Sequence, residues 1–285
     1  MARTCRTCAN QCSPSVRPPA VCPVCEDERQ YVPSSGQAWT TQEELRAEGH
    51  RTRLSELEPG LLELTVEPRL GIGHRGLLVR TPAGAVLWDP PGYLDDAALT
   101  AVRDLGGLLA VTRSHPHLGG AFGEWSLRCP RPDGSPAPVQ LPRRDRRWLL
   151  RPDLERRGAV RWWEDRQELA PGVTLVRCGG HFAGSAVLHV AGAAGGRGAL
   201  LVGDTLMVLP GGRRVSFMRS YPMLLPMPER HLDRLLAALS GLRYDRLVGG
   251  FPGSGVDRDA QRVVADSARS YRDWLTGRAV DPDQD

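Results

Sequence analysis

The sequence predicts an α/β fold in which helices cover a buried β-sheet. Residues 61–67 read LLELTVE and alternate apolar with polar side chains, as a strand with one buried face does. Further strands follow at RGLLVRT and AVLWD, then a helical pattern, LDDAALTAVRDL, and the apolar strand LLAVTR. This strand–helix–strand order favours a sheet with helices packed on its face. With 285 residues, the chain is long enough for one large α/β domain and a small appendage.

The second half of the chain continues the alternation of strands and helices. Strands are predicted at VTLVRC, SAVLHV and ALLVGD, and helices at ERHLDRLLAALSGL and DAQRVVADSARSYRDWLTG. Near the N-terminus, Thr41 and Glu44 form a capping box that begins a short helix. We therefore divide the chain into a cysteine-rich segment at 1–33, a linker with a short helix at 34–58, and the α/β domain at 59–285.

Composition argues against several classes of partner. No apolar run approaches the roughly 18 to 20 residues that a membrane helix needs, and the N-terminus, MARTCRTCANQC, lacks the apolar core of a signal peptide. We therefore expect a cytoplasmic protein whose cysteines stay reduced. The chain has no lysine, and its net charge of +4 is spread over segments of mixed sign. That distribution does not form the continuous basic surface that nucleic-acid binding requires.

Four cysteines near the N-terminus have the spacing of a zinc site. Cys5-x-x-Cys8 is followed, after thirteen residues, by Cys22-x-x-Cys25. Two such turns can present four thiolates to one zinc ion, whose binding energy then orders the segment. We call this predicted zinc-ribbon-like site the cysteine knuckle. Four thiolates leave no open coordination position, so its predicted role is structural or, through a protein partner, interactive. The alternatives are a disordered tail and a ligand set in which Cys12 replaces one cysteine.

A second set of polar residues follows the ends of predicted strands. Asp89 closes the strand in WDPPG, and His115 and His117 lie in SHPHLGG after an apolar strand. His181 lies between small residues in CGGHFAGS, and Asp204 follows the strand in LLVGDT. Each signal alone is weak, because isolated histidines and Gly-Asp turns are common. Together, three imidazoles and a carboxylate make a suitable ligand set for zinc or iron.

The order of these signals over residues 60–255 resembles that of the metallo-β-lactamase superfamily. The resemblance implies an αββα sandwich with a metal held at one edge between two sheets. It implies that His115, His117 and His181 hold the first metal and that Asp204 binds that metal or bridges to a second. Asp89 is then the residue that orients the loop carrying the histidines. By this resemblance Asp204 and Asp89 are the catalytic candidates.

The sequence departs from the family at its second metal site. The family motif His-x-His-x-Asp-His here ends in Gly119-Gly120, and Phe251 stands where we expect the last family histidine. All candidates for the first site remain, while three ligands of the second are missing. We therefore predict a single metal at the histidines. Glu124, which follows the histidine pair, is a candidate to replace a lost carboxylate ligand, and the alternative is a helix-surface or hydrogen-bonding role.

The predicted activity is hydrolysis of a small-molecule ester, thioester, lactone or amide by a water bound to the metal. One alternative is a catalytically weak metal-binding protein with a regulatory or interaction role. Another is an iron-dependent redox or sulfur-transfer enzyme. Aromatic residues in the 213–227 loop are expected to be exposed and compatible with a homodimer, whereas His74 is expected to be a hydrogen-bonding residue rather than a ligand.

Overall fold

The N-terminal residues form a small three-stranded sheet. The structure, a computed structural model, describes residues 1–131 and 134–284. The first elements are β1 (Arg3–Cys5), β2 (Gln11–Cys12), β3 (Trp39–Thr40) and helix α1 (Gln42–Ala47). The strands pair antiparallel in the order β2-β1-β3. The predicted capping box is present, since the Thr41 side chain accepts from the Glu44 amide and the Glu44 side chain accepts from that of Thr41.

A seven-stranded sheet follows. Its strands and the helices between them are β4 (Arg51–Glu58), β5 (Leu61–Glu67), β6 (Gly76–Thr81), β7 (Gly84–Trp88), α2 (Asp96–Asp104), β8 (Leu108–Thr112), α3 (Phe122–Arg128), β9 (Val139–Pro142), α4 (Pro152–Arg156) and β10 (Val160–Trp163). Two 3₁₀ turns, Pro116–Leu118 and Arg143–Trp148, interrupt the connections. The strands lie in the order β10-β9-β8-β7-β6-β5-β4, antiparallel from β4 to β7 and parallel from β7 to β10.

A six-stranded sheet forms from the second half of the chain. The elements are β11 (Arg166–Ala170), β12 (Val173–Arg177), β13 (Ala186–Val190), α5 (Ala193–Gly196), β14 (Ala199–Gly203), β15 (Met207–Val208), β16 (Val215–Ser216), β17 (Met218–Ser220), β18 (Leu225–Pro226), α6 (Glu229–Leu239), β19 (Arg246–Gly249), β20 (Gly255–Val256) and α7 (Ala260–Leu275). The sheet order is β11-β12-β13-β14-β19-β20, and β15–β16 and β17–β18 form separate hairpins. None of the helices in the described part of the chain is long and apolar enough to cross a membrane.

Three layers of apolar contact hold the sheets and helices together. The inner faces of the two sheets meet through residues such as Val86 and Trp88 on one side and Leu175 and Leu201 on the other. Helices α2, α3 and α4 cover the outer face of the seven-stranded sheet, while α6 and α7 cover that of the six-stranded sheet. Burial of these apolar side chains is the main favourable term for such a layered fold. The predicted αββα sandwich is confirmed.

The N-terminal segments are continuous with this sandwich. Strand β4 ends at Glu58 and pairs along its length with β5, so the predicted boundary at residue 59 falls inside a hairpin. Strand β3, in the predicted linker, pairs with β1 of the cysteine-rich segment. Strand pairing thus crosses both predicted boundaries. Whether segments 1–33, 34–58 and 59–285 fold as separate units stays a prediction.

Candidate metal centre

Four of the predicted residues converge at one edge of the sandwich. His115 and His117 follow β8, His181 follows β12, and Asp204 follows β14. Strands β12 and β14 run in the same direction, so their carboxyl ends lie at the same edge of the sheet. One ligand atom from each residue lies within 4.8 Å of those from the other three, and all four residues are buried. We call this group the histidine centre.

The spacing of these ligand atoms fits a metal ion. His115 Nε2 lies 3.4 Å from Asp204 Oδ2, and His181 Nε2 lies 3.4 Å from His117 Nδ1. Ligands about 2.0–2.1 Å from a tetrahedral ion are about 3.3–3.4 Å apart. His115 Nε2 and Asp204 Oδ1 are buried and have no hydrogen-bond partner among the described residues. Buried polar atoms normally have partners, so these atoms are positioned for a divalent metal that would supply the missing interactions.

Hydrogen bonds behind the ligands fix the orientation of two rings. The Nδ1–H of His181 donates to the Met218 carbonyl at 3.2 Å, which leaves Nε2 bare toward the centre. His115 Nδ1 lies 2.8 Å from the Ser114 hydroxyl. Asp89 accepts a 2.6 Å hydrogen bond from the Ser114 backbone amide through Oδ1. Asp89 thus contacts the loop that carries His115 and lies outside the ligand group itself.

The histidine centre is enclosed by aromatic side chains. Its three imidazole rings are 0–2% exposed. The ring of Phe182 lies 4.8–5.7 Å from each of them. Tyr221 lies 5.5 Å from the His181 ring, and its hydroxyl donates to the Asp204 carbonyl at 3.2 Å. Burial lowers the pKa of His181 to about 3 and that of His117 well below its ordinary value, so both rings are neutral and able to ligate a metal at neutral pH.

The four knuckle cysteines form a second cluster. Cys5 Sγ lies 3.7 Å from Cys25 Sγ, and Cys8 Sγ lies 3.7 Å from Cys22 Sγ. These distances exceed a disulfide bond of about 2.05 Å and match the edges, about 3.8 Å long, of a tetrahedron with zinc–sulfur bonds of about 2.3 Å. All four sulfurs belong to residues that are 0–1% exposed. Cys12 lies outside the cluster, and burial raises the pKa of its thiol to about 12.

Gly119 and Gly120, where the resemblance would place ligands of a second metal, have close neighbours in the space that a side chain would take. A Cβ atom on Gly119 would lie 2.4 Å from Asn10 Oδ1 and 2.8 Å from Arg113 Nη1. A Cβ on Gly120 would lie 1.9 Å from the Pro90 carbonyl oxygen. Aspartate or histidine cannot occupy these two positions without displacing their neighbours.

The other two positions considered for the second site also supply no ligand to the histidine centre. Phe251 lines a cavity of about 290 Å³ beside Met207. Glu124 instead faces Arg151, with Oε1 3.7 Å from Nη1.

Two residues beside the histidine centre were missed by sequence reasoning. Asn10 donates to the His117 carbonyl at 2.9 Å, and Arg29 donates to the His181 carbonyl at 3.1 Å. Both belong to the cysteine-rich segment, far from the histidines in sequence. No pattern in the sequence pairs them with the histidines, because these contacts arise from how the segment packs.

His74 is buried near the histidine centre and behaves as a hydrogen-bonding residue. Its Nε2–H donates to the Pro90 carbonyl at 3.1 Å. Burial lowers the pKa of His74 from 6.5 to about 4. In this pH interval the unfolded chain holds a proton on this ring that the folded protein does not, so acidification disfavours folding.

We expect His74→Gln, which keeps a donor for Pro90, to remove this acid sensitivity. The free energy of unfolding of the wild type should fall relative to that of the variant by up to ~1.4 kcal/mol per pH unit. The fall should extend from pH 6.5 to about 4. Urea unfolding of both proteins at several pH values measures the difference between their free energies of unfolding. Both proteins contain the same metal ligands, so the titration of those ligands cancels in this difference. A difference that does not change with pH would contradict the assignment.

Comparisons with known proteins give both a family and a fold. No model of a known protein family matches the chain. The chain is 36% identical over 269 residues to the uncharacterized protein YmaE of Bacillus subtilis (strain 168), and the match covers 94% of each protein.

Solved metallo-β-lactamases share the fold at low sequence identity. VMB-1 superposes with a TM-score of 0.52 at 13% identity, covering 80% of this chain and 99% of that one. DIM-1 superposes with a TM-score of 0.51 at 17% identity, covering 77% and 97% of the two chains. FIM-1 of Pseudomonas aeruginosa, in a mono-zinc form, gives 0.51 at 14% identity, with 77% and 96% coverage. The chain therefore belongs to the family of B. subtilis YmaE, and it has the metallo-β-lactamase fold with a His/Asp metal site and an N-terminal four-cysteine cluster.

Proposed function

We propose that the protein is a hydrolase with a single metal at the histidine centre and a structural zinc in the cysteine knuckle. Its substrate is a small-molecule ester, thioester, lactone or amide. The observation that carries the proposal is the convergence of four buried ligand atoms, all within 4.8 Å of one another, at one edge between the sheets. Three imidazoles and a carboxylate suit zinc or iron(II).

The ligand and neighbouring side chains have separate roles in this proposal. His115, His117, His181 and Asp204 would hold the metal, which would polarise a carbonyl oxygen of the substrate and make a bound water more acidic. Asp204 would bind the metal through one carboxylate oxygen, and its other oxygen would accept the proton of the attacking water. Asp89 acts as a positioning residue and not as a ligand. It accepts a hydrogen bond from the Ser114 amide and thereby positions the neighbouring His115.

Access to the histidine centre requires a movement of its cover. The imidazoles are 0–2% exposed, and Tyr221 is linked to Asp204 by a hydrogen bond. We infer that a substrate enters when the segment carrying Tyr221 moves away. The enclosure also supports a second candidate function, a metal-binding protein with little turnover and a regulatory role. A metal centre of that kind needs no path by which a substrate could reach it.

Metal analysis and a hydrolysis assay on the full-length protein test the proposal together. The absence of side chains at Gly119 and Gly120 supports about two metals per chain, one in each cluster. Elemental analysis that finds a third metal would contradict a single metal at the histidines. Turnover of generic ester, thioester, lactone and amide substrates supports the hydrolase. A fully loaded protein without turnover on any of them supports the second candidate.

Three further expectations stay proposals. We propose a cytoplasmic location, a protein partner that contacts the outer surface of the knuckle, and a homodimer.

The expectation of exposed aromatic residues in the 213–227 loop is wrong for Phe217, which is fully buried. The large apolar side chains exposed there are Met223 and Leu224, between β17 and β18, and Leu225, the first residue of β18. Size determination in solution tests the homodimer.

A further inference from the structure

The cysteine knuckle packs directly against the histidine centre. Phe182, the residue after His181, belongs to one apolar cluster with the four cysteines, Val24 and Trp148. The backbone amide of Gln11 donates to the Gly120 carbonyl at 3.1 Å, next to the loop that carries His117. The knuckle is therefore part of the wall of the histidine centre rather than a separate appendage.

Asn10 connects the two clusters with a single amide group. Its Nδ2 donates to Cys8 Sγ at 3.4 Å and to the His117 carbonyl at 2.9 Å. The residue is completely buried, so water does not replace either hydrogen bond. The position of this amide depends on where the Cys8 sulfur lies, and the position of the His117 backbone depends on the amide.

Arg29 makes a second connection from the other end of the knuckle. Its Nη1 donates to the His181 carbonyl at 3.1 Å, and its guanidinium lies 3.6 Å over the centre of the Phe182 ring. Asp27, two residues after Cys25, fixes this guanidinium, with Oδ2 accepting from Nη2 at 2.7 Å. One ligand loop of the histidine centre is thus held by Asn10 and another by Arg29.

We propose that Asn10 and Arg29 are positioning residues through which metal in the cysteine knuckle sets the geometry of the histidine centre. The inference rests on the metal occupancy of the proposed function, not on hydrolysis. Four thiolates near one another repel in the absence of a cation, so the knuckle adopts its closed arrangement when metal is bound. Hydrogen bonds that orient ligands typically contribute about 10–100-fold to the affinity of a metal site. Filling the knuckle therefore raises the affinity of the histidine centre for its own metal.

The chain offers a matched pair of residues to test this. Gln37, like Asn10, donates an amide N–H to a knuckle sulfur, that of Cys5, at 3.2 Å. Its other hydrogen bonds in the described chain run to Cys22 and Ala38, and none reaches the histidine centre. Asn10→Ala and Gln37→Ala therefore both remove a hydrogen bond to a thiolate. Asn10→Ala alone also removes the contact with His117.

The experiment uses full-length protein loaded with Co²⁺ and titrated with a chelator. The thiolate-to-cobalt charge-transfer band reports the knuckle. The d–d bands that remain after the complete spectrum of the cobalt-loaded knuckle is subtracted report the histidine centre. We expect Asn10→Ala to weaken Co²⁺ binding at the histidine centre by about 10–100-fold and Gln37→Ala to leave it within about twofold. Arg29→Met, which keeps a flexible stem over Phe182 but lacks the guanidinium, should weaken it in the same direction. This variant serves as the test if Asn10→Ala does not fold.

The possible outcomes separate the inference from the proposed function. Equal weakening by Asn10→Ala and Gln37→Ala would mean that the knuckle acts through general stability, which overturns a positioning role. Unchanged affinity in both Asn10→Ala and Arg29→Met would overturn it as well. A wild-type protein that binds Co²⁺ at the cysteines alone would overturn the proposed function first, and the coupling with it.

Discussion

His181→Ala is expected to remove the metal of the histidine centre and abolish hydrolysis while the knuckle keeps its zinc. In the proposed site the ring supplies one of four ligand atoms, so alanine would leave three ligands and a cavity in a buried site. Losing a ligand should weaken metal binding by more than the ~10–100-fold that follows loss of a residue that only orients ligands. Metal content per chain should fall from about two to about one.

Two further variants give this prediction a graded comparison. Asp89→Ala removes the acceptor for the Ser114 amide but no ligand, so it should weaken the same metal by about 10–100-fold without emptying the knuckle. His189→Ala is the matched control, because His189 is a strand histidine whose ring hydrogen-bonds to the Arg243 carbonyl away from the centre. Elemental analysis and hydrolysis rates measure all three. A His181→Ala protein with unchanged metal content would refute the assignment of the ligands.

Cys5→Ser is expected to destabilise the whole protein rather than an isolated tail. Zinc binding to four thiolates supplies roughly 10–16 kcal/mol toward folding of small zinc modules, and serine is a poor substitute for a thiolate ligand. Cys5 is fully buried in an apolar cluster with Trp148 and Phe182, which are part of the sandwich. Loss of the knuckle would expose these side chains and loosen the loop that follows His181. We expect Tm to fall by about 10 °C or more, which corresponds to a loss of a few kcal/mol in the free energy of unfolding. We also expect weaker metal binding at the histidine centre.

Cys12→Ser is the control for this prediction. Cys12 lies in the same segment and is also buried, at 7% exposure, but its sulfur is outside the four-cysteine cluster. Thermal unfolding followed by circular dichroism, with zinc release recorded in parallel, should therefore show a much smaller change for Cys12→Ser. A Cys5→Ser protein with wild-type Tm and full metal content would show that the knuckle is a dispensable appendage.

Local sequence patterns were sufficient for much of the fold and for the residues that the structure brings together in the two clusters. Alternating strands, helical periodicities and the capping box at Thr41 depend on neighbouring residues, so they are readable before the chain is folded. The knuckle spacing and the placement of His115, His117, His181 and Asp204 after strands are also local. Because strand ends of the same direction meet at one edge, these signals predicted that the side chains would converge.

Contacts between segments that are distant in sequence were decided by tertiary structure alone. The packing of the knuckle on the histidine centre depends on Asn10 and Arg29 meeting carbonyls of residues more than one hundred positions away. Backbone carbonyls occur at every position and carry no sequence signature, so no residue pattern indicates which of them an amide will contact. The sequence by itself therefore indicated which residues could bind metal. Only the folded chain determined that the cysteine knuckle and the histidine centre pack against each other.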